Sequence, residues 1–419
     1  MTTEDIKIHI VGGGISGIIA AKTLEEFGFA PTILEGSDRL GGRVKTDVVD
    51  GYQLDRGFQV LLSNYPAAQK FLDYKALSVQ EFISGAAIFK KGKKSYIGDP
   101  LRDRSLWMKT LFSNVGTLGD KLKIFQLQNQ LKKKSIEKIF ESAEVSTIEY
   151  LRGYGFSKKI INNFFKPFFT GIFLEEKLET SSRMFEFVFK MFAEGSALIP
   201  KGGIEEISKQ LSSQLEKTDI KFHTRVREVQ DSKIILEDGD DLETAYTIIA
   251  TEASSLISNL NNQQLDWKSC DTLYFTCDRR VIQKPFIGLI ANKKTFINNI
   301  FYHSSVEMNQ TEGKELLSVT IVKEHDLSEN ELIAQVEKEL KDECGIENLT
   351  FLKRYQIGKA LPQLHNLQYE VSPSETQLKE RVFLAGDVQL NGSLNAAMLA
   401  GEAAAHGVLQ VMGKTGVIQ

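Results

Sequence analysis

The chain has 419 residues, of which 42% are hydrophobic and 25% charged, and its formal net charge at pH 7 is −4. This length suits two domains, and the slightly acidic balance excludes the globally basic surface that nucleic-acid binding requires. The three cysteines form no C-x-x-C motif or Cys/His cluster, which excludes a disulfide framework and favours a reducing compartment.

The N-terminal segment predicts a β-α-β unit built around a glycine turn. The first ten residues, MTTEDIKIHI, are acidic where a signal peptide is basic, so we expect a soluble, cytoplasmic protein. Residues 6–11 alternate like a buried strand, residues 15–27 have helical spacing, and residues 31–34 predict a second strand.

Gly12, Gly14 and Gly17 have G-x-G-x-x-G spacing between the first strand and the helix. In a dinucleotide site these glycines allow a tight turn, close approach of a pyrophosphate and close helix packing. Glu35, at the end of the second strand, is placed to bind a ribose diol and to repel a 2′-phosphate. The alternative for the glycines alone is a flexible loop, but the strand, the helix and Glu35 together favour a dinucleotide site.

A second glycine turn follows Glu35 immediately. Gly41 and Gly42 lie between Arg39 and Arg43, so backbone can approach the same pyrophosphate while the guanidinium groups offset its charge. The alternative is a surface hairpin with solvated arginines.

The central part of the chain predicts three regions of different secondary structure. Residues 76–194 predict a mostly helical insertion, and the segment from 219 to 251 predicts hairpin strands. A mixed region with strands and one helix runs from 251 to about 370. We therefore predict a nucleotide-binding domain from residues 1–75, 195–250 and 375–419, interleaved with a substrate domain from residues 76–194 and 251–374.

The C-terminal segment predicts a strand, a Gly386-Asp387 turn and a helix that begins at about Ser393. A carboxylate at this turn can hold a polyol, and the N-terminus of the helix can stabilise negative charge on a flavin ring. The alternative is an ordinary loop.

Together these segments resemble the flavin amine oxidase superfamily, which includes amine oxidases, protoporphyrinogen oxidases and carotenoid desaturases. The resemblance covers most of the chain and rests on VGGGISG, LEGSDRLGGR, LDRGFQV, IPKGG before a helix, VREV and FLAGD. It implies an α/β fold, with a Rossmann-type FAD-binding domain interleaved with a mixed α+β substrate domain.

The resemblance also implies the residues that bind FAD. The isoalloxazine would lie near residues 55–59, and the backbone of Val226 would contact the adenine. The predicted FAD-binding residues are Gly12, Gly14, Ile15, Ser16, Gly17, Glu35, Gly36, Arg39, Gly41, Gly42, Arg43, Gly57, Phe58, Gln59, Val226, Gly386, Asp387, Leu394, Asn395 and Ala396.

The sequence also bears on electron transfer and on the substrate. No second G-x-G-x-x-G follows a strand, so we expect an acceptor such as oxygen, a quinone or another small molecule in place of NAD(P)H. No cysteine lies near the C-terminal flavin segment, so the FAD should be non-covalent.

Two Phe-rich stretches are expected to line a tunnel for an apolar substrate or, alternatively, to pack as helical core. They contain Phe164, Phe165, Phe168, Phe169, Phe173, Phe185, Phe187, Phe189 and Phe192.

The predicted function is that of an FAD-dependent dehydrogenase or oxidase that takes hydride from a polyene, isoprenoid or porphyrinogen-like substrate. An amine oxidase and a non-catalytic flavoprotein are the alternatives. No catalytic acid or base is predicted. Lys359 and Arg183 are candidates for polar residues near the substrate, and the alternative for each is a role in the core or on the surface. The isolated histidines, His223, His303 and His365 among them, give no support for a metal site.

The stretch LKKKSIEKIF is either a solvated helix face or a peripheral membrane contact.

Overall fold

The computed structural model describes residues 6–98, 106, 110, 113–257, 260, 264–309 and 313–414. The strands are β1 Ile8–Val11, β2 Thr32–Leu34, β3 Thr46–Val49, β4 Tyr52–Asp55, β5 Leu61–Leu62, β6 Val79–Glu81, β7 Gly85–Lys90, β8 Lys93–Gly98, β9 Ala197–Pro200, β10 Asp219–Lys221, β11 Val226–Val229, β12 Lys233–Leu236, β13 Asp241–Glu243, β14 Tyr246–Ile249, β15 Trp267–Cys277, β16 Ile287–Ile290, β17 Ile297–Tyr302, β18 Glu315–Ile321, β19 Thr350–Pro362, β20 Gln377–Lys379 and β21 Val382–Leu384. The helices are α1 Ile15–Glu26, α2 Pro66–Phe71, α3 Leu118–Lys133, α4 Ile136–Glu141, α5 Thr147–Gly153, α6 Lys158–Ile160, α7 Lys166–Phe173, α8 Ser182–Glu194, α9 Glu206–Ser212, α10 Glu329–Glu339 and α11 Leu394–Val411, and a π-helical turn, Ile161–Phe165, joins α6 to α7.

The first sheet has the strand order β10-β2-β1-β14-β21-β20. Its first five strands are parallel, and β20 pairs antiparallel with β21. Ile10, at its centre, is opposite Ile33 on one side and Ile248 on the other, and all three are fully buried. Such continuous burial is typical of a parallel sheet covered by helices. The predicted Rossmann-type α/β fold is therefore confirmed.

Helices α1 and α11 pack closely against each other beside this sheet. A Cβ atom at Gly401 of α11 would lie 2.3 Å from the backbone oxygen of Ser16 in α1, so only glycine fits there. The Ser16 hydroxyl donates a hydrogen bond to the Ala397 carbonyl at 2.7 Å. Residues from the N-terminal and C-terminal parts of the chain thus meet just after the first glycine turn.

The second sheet has the order β19-β15-β18-β17-β16-β7-β8. Its strands pair antiparallel except for β16 and β7, which are parallel. The prediction of a mostly helical segment over residues 76–194 is wrong for its first part, which forms β6, β7 and β8. β6 pairs with β9 and β7 with β16, both far along the chain, whereas β7 and β8 form a hairpin whose Lys-rich turn at Lys91 and Gly92 masks their apolar alternation. The remainder of that segment is helical.

The predicted hairpin region from 219 to 251 is only partly hairpin. β11, β12 and β13 form a small antiparallel sheet, whereas β10 and β14 join the parallel sheet. Two further small sheets pair β3 with β4 and place β9 between β5 and β6. Within the described residues, no helix has both the length and the apolar character needed to cross a bilayer.

Candidate functional site

The first glycine turn connects β1 to α1 through backbone that other residues could not adopt. Gly12 has φ of +104°, and a Cβ atom there would lie 3.0 Å from the Ala250 carbonyl oxygen. A Cβ atom at Gly17 would lie only 2.0 Å from the Gly12 oxygen. Gly14 precedes α1 and offers no side chain to cap its first turn. The amide groups at the start of α1 therefore face a space that can accept a phosphate.

The second glycine turn packs directly on the first. The Gly41 N–H donates to the Gly13 carbonyl at 2.8 Å. A Cβ atom at Gly42 would approach the Gly14 Cα to 3.2 Å, and Gly42 itself has φ of +60°. Side chains on either turn would fill the cradle that the two turns form, which explains why both turns are made of glycine. The geometry fits the pyrophosphate of a dinucleotide.

The Glu35 side chain, at the end of β2, binds the backbone beside the same two turns. Its carboxylate accepts hydrogen bonds from the backbone N–H groups of Gly13 at 2.7 Å and Ser37 at 2.8 Å. The Glu35 carbonyl accepts the N–H of Thr224 at 2.9 Å. This contact brings the start of β11, where Val226 lies, beside Glu35. The carboxylate is thus fixed in orientation, as ribose recognition requires.

Gly36 follows Glu35 against the segment that leads into β11. A Cβ atom at Gly36 would lie 3.0 Å from the Arg225 Cγ. The position needs a small residue because the Arg225 side chain passes over it.

The Arg39 guanidinium is engaged by carboxylates. It pairs with Asp47 at 2.6 Å and with Glu205 at 2.7 Å. Burial acts to raise the pKa of the Asp47 carboxyl, but the hydrogen bonds that Arg56 and Arg39 donate to it lower that pKa to about 2. Arg39 thus joins the glycine turn to β3 and to the segment before α9, and its contact with a pyrophosphate stays a prediction.

Arg43 joins the N-terminal and C-terminal parts of the site. Its guanidinium lies 2.5 Å from the buried Asp387 carboxylate, and the Gln59 side-chain amide donates to the Arg43 carbonyl at 2.9 Å. Gly386, before Asp387, has φ of +119°, which favours glycine. Residues from three distant segments thereby converge on one point.

Helix α11 begins at this point. Ser393 caps it by accepting the Ala396 N–H at 3.0 Å, which confirms the predicted helix start. The Asn395 side-chain oxygen accepts the Ala67 N–H at 2.9 Å. Leu394 lies on the wall of a large cavity. The helix N-terminus is therefore held by α2 on one side and faces the cavity on the other.

The large cavity has a volume of about 1510 Å³. Phe58 and Gln59, which follow the left-handed Gly57, lie on its wall. The Phe58 ring packs 5.4 Å from the Phe301 ring. The segment that the resemblance assigns to the isoalloxazine therefore borders this cavity.

The two Phe-rich stretches divide between the cavity wall and the core. Five of their rings line the cavity, namely Phe164, Phe168, Phe173, Phe189 and Phe192. Four others are fully buried away from it, namely Phe165, Phe169, Phe185 and Phe187. The stretches therefore contribute to both the cavity wall and the core, and entry of an apolar substrate into the cavity stays a prediction.

Charged residues on the cavity wall lie near its opening. Glu175 is partly buried, whereas Glu176, Lys177 and Glu179 are exposed. The Lys268 ammonium group, which also borders the cavity, donates to the Phe173 carbonyl at 3.0 Å and is thereby engaged. The cavity wall thus combines exposed charged residues with aromatic rings.

Trp267 is a site residue that sequence reasoning missed. It lines the cavity, and its buried indole N–H has no hydrogen-bond partner among the described residues. The Arg43 guanidinium lies 5.4 Å from its ring and the Lys359 ammonium group 5.6 Å. A buried donor without an acceptor costs stability, so this N–H fits a ligand that brings an acceptor. Only its position at the start of a strand marked it in the sequence.

Neither polar candidate for the substrate side is among the residues that line the cavity. Lys359 forms an ion pair with Glu252. The Arg183 Nε donates to the Ser142 carbonyl at 2.8 Å. These contacts agree with the alternative of a structural role for both residues, and contact of either with a substrate stays a prediction.

The histidines lie apart from one another. His303 is buried, and burial lowers its pKa to about 4. In the ranges that the structure describes, no group of three or more His, Cys, Asp or Glu side chains is arranged to hold a metal ion.

Residues 15–409 match the family described as flavin containing amine oxidoreductase. Polyamine oxidase 2 of Arabidopsis thaliana is 44% identical over 57 residues, which are 14% of this chain and 12% of that protein. Protoporphyrinogen oxidase 2 of the same plant is 26% identical over 168 residues, which are 39% of this chain and 32% of that protein. Each match therefore spans less than two thirds of the relative's length.

Solved structures resemble the chain over nearly its whole length. A putative protoporphyrinogen oxidase from Exiguobacterium sp. 255-15 has a TM-score of 0.70 at 17% identity and covers 97% of this chain and 99% of its own. Wild-type putrescine oxidase bound to putrescine has a TM-score of 0.68 at 15% identity, with the same coverage. At these identities the likeness concerns the fold.

Proposed function

The chain belongs to the flavin containing amine oxidoreductase family, an FAD-dependent class of oxidoreductases, and on this basis we propose that it oxidises a largely apolar substrate. The substrate class is a polyene, an isoprenoid or a porphyrinogen-like compound. The observation that carries the proposal is the aromatic interior of the large cavity, with Phe58 on its wall.

The residues around the two glycine turns are suited to hold FAD. Gly12, Gly14 and Gly42 provide the cradle for the pyrophosphate, Glu35 the acceptor for the ribose, and Asp387 the carboxylate for the ribityl chain. When bound, FAD supplies the acceptor for a hydride from substrate carbon. Oxygen, a quinone or another small acceptor would then remove the electrons.

The protein's own contribution is position and exclusion of water. The cavity exceeds the roughly 300–1,000 Å³ of common small-molecule sites, so it has room for a flavin ring beside Phe58 and Gln59 and for a substrate as well. Phe164, Phe168 and Phe192 offer apolar surface to such a compound, and an unpaired ammonium group buried among them would lose its hydration. No residue is assigned as a general base.

An amine substrate is the second candidate, and one observation favours it. Glu175, Glu176 and Glu179 border the cavity near its opening and could attract a cationic substrate. Lys177 and Lys268 lie in the same wall and offset that charge. The acidic groups also lie outside the aromatic interior, so they could guide an amine without holding it at the reacting carbon.

A panel of substrates separates the two candidates. Stopped-flow mixing without oxygen would follow loss of the flavin absorbance with polyenes, isoprenoids, porphyrinogens, monoamines and polyamines. We expect apolar compounds to bleach the flavin faster than any amine. Rapid bleaching by a primary amine, with none by any apolar compound, would reverse the assignment. Absence of bleaching by every compound would favour a non-catalytic flavoprotein.

We also propose that the protein is cytoplasmic and touches a membrane surface beside the cavity opening. Leu118, Leu122 and Phe125 form a stripe on α3 with 66%, 58% and 44% of their surface exposed, and Phe125 also borders the cavity. Lys132 and Lys133 are exposed at the end of the same helix, which suits anionic lipid. An apolar substrate could then enter from the bilayer. The three free cysteines agree with a reducing compartment.

Sedimentation with phosphatidylserine-containing vesicles tests the membrane contact. Leu122→Ser should lower the bound fraction, because it removes exposed apolar surface from the stripe. Val411→Ser, at a 45% exposed residue of α11, is the matched control and should leave binding unchanged. Equal binding by all three proteins would refute the contact.

A further inference from the structure

A second cavity, of about 50 Å³, lies between α7 and the strands β16 and β17. Its lining includes three lysines, Lys166, Lys293 and Lys323. Among the described residues, none of the three has a carboxylate within ion-pair distance. Lys166 and Lys323 are partly buried and Lys293 is exposed, and three lysine side chains beside so small a space make it suited to a small anion.

A buried hydroxyl gives an independent indication of a ligand. Thr170, on α7, lines the same cavity and is only 4% exposed. Its hydroxyl has no hydrogen-bond partner in the part of the chain that the structure describes. Buried hydroxyl groups are normally paired, and an oxyanion in this cavity would provide the missing acceptor.

The lysines also act on one another. Burial and the neighbouring charge of Lys293 lower the pKa of Lys166, while Glu176 and Glu175 act in the opposite direction. An anion between Lys166 and Lys293 would relieve their repulsion. Glu176 also lines the cavity, but it is exposed, and its single negative charge is outnumbered by the three lysines of the lining.

The small cavity adjoins the large one. Glu176, Val322 and Lys323 line both. We propose that the small cavity binds a phosphate or carboxylate group at one end of an amphiphilic substrate, whose apolar part lies in the large cavity. This assignment rests on the proposed function, since it assumes an apolar ligand there.

Calorimetric binding to the FAD-loaded protein tests the assignment with three probes: decyl phosphate, decanol and inorganic phosphate. Charge-assisted bonds should make decyl phosphate bind at least about tenfold more tightly than decanol. The double variant Lys166→Met/Lys293→Met should abolish that preference. Lys177→Met, at a lysine that borders only the large cavity, is the matched control and should keep it.

Thr170→Val provides a second variant with almost unchanged volume, in case the double variant does not fold. It should weaken decyl phosphate several-fold and leave decanol unaffected. An unchanged preference in Thr170→Val or in a folded double variant would overturn the assignment.

The three probes also separate this assignment from the proposed function. If decanol binds but the phosphate group adds nothing, only the anion site fails. If inorganic phosphate binds as tightly as decyl phosphate and decanol does not bind, the small cavity is a site for free phosphate, and the substrate assignment is overturned. If neither decyl compound binds, the apolar function of the large cavity fails.

Discussion

The carboxylate of Glu35 provides the sharpest test of the FAD site. Its two oxygens each accept one backbone N–H, from Gly13 in the first glycine turn and from Ser37 before the second. In Glu35→Gln an NH₂ group replaces one carboxylate oxygen and faces a backbone N–H donor. One of the two hydrogen bonds is then lost, and the backbone segment that it held is released. The ribose diol would also lose a charged acceptor.

The expected loss is about 1.5–3 kcal/mol, the usual worth of a hydrogen bond to a charged group, which is roughly a 10–100-fold rise in the Kd for FAD. Titration of the flavin-free protein with FAD, followed by flavin fluorescence, would measure it. Urea unfolding of the same flavin-free protein would report the structural part of the effect.

Glu25 provides a matched control, because its carboxylate also accepts backbone N–H groups but lies away from the glycine turns. Its carboxylate, at the far end of α1, accepts the backbone N–H groups of Glu216, Lys217 and Thr218 at 2.9, 2.9 and 2.7 Å. Glu25→Gln should lower the free energy of unfolding but leave the Kd for FAD unchanged. If both variants raise the Kd equally, or if Glu35→Gln does not raise it, the assigned role of Glu35 is refuted.

Three further changes have defined outcomes. Asp387→Ala removes the partner of Arg43 and should weaken FAD retention about 10–100-fold; an unchanged flavin-to-protein ratio after gel filtration would contradict this. Burial lowers the pKa of His303 to about 4 from the ordinary 6.5, so this residue takes up a proton in the unfolded chain first. Its contribution to the free energy of unfolding should therefore fall by about 3 kcal/mol between pH 6.5 and 4. His303→Gln should flatten that slope in urea titrations, and an identical slope would disprove the cause. Phe187→Ala, in the core, should cost about 3–5 kcal/mol of stability, whereas Phe192→Ala should mainly weaken apolar ligands in a binding assay; the reverse pattern would be inconsistent with their placement.

The sequence was informative where structure depends on neighbours along the chain. The turn at Gly12, the helix that follows it and the start of α11 at Ser393 are all set by residues a few positions apart. Strand β7 was missed in part because one of its two partners, β16, lies about 200 residues away along the chain. Local patterns do not contain that information.

The site shows the same division. The glycines could be predicted because their lack of a side chain is itself the functional property. Asp47 and Glu205 could not be predicted as the partners of Arg39, because Glu205 comes near Arg39 only through tertiary structure. Trp267 had no motif around it, and its unpaired N–H becomes visible only once its neighbours are placed.

Helix α8 shows why the cavity could not be separated from the core by pattern alone. Met184, Val188 and Phe192 recur every four residues and line the cavity. Phe187 and Met191, on another face of the helix, are fully buried in the core. Both faces belong to one broad apolar side of an amphipathic helix, whose polar side carries Glu186, Lys190 and Glu194, so the periodicity does not separate the cavity wall from the core. Substitutions on the first face can change which ligand binds while the second face keeps the helix in place, so we expect substrate preference to respond to positions 184, 188 and 192.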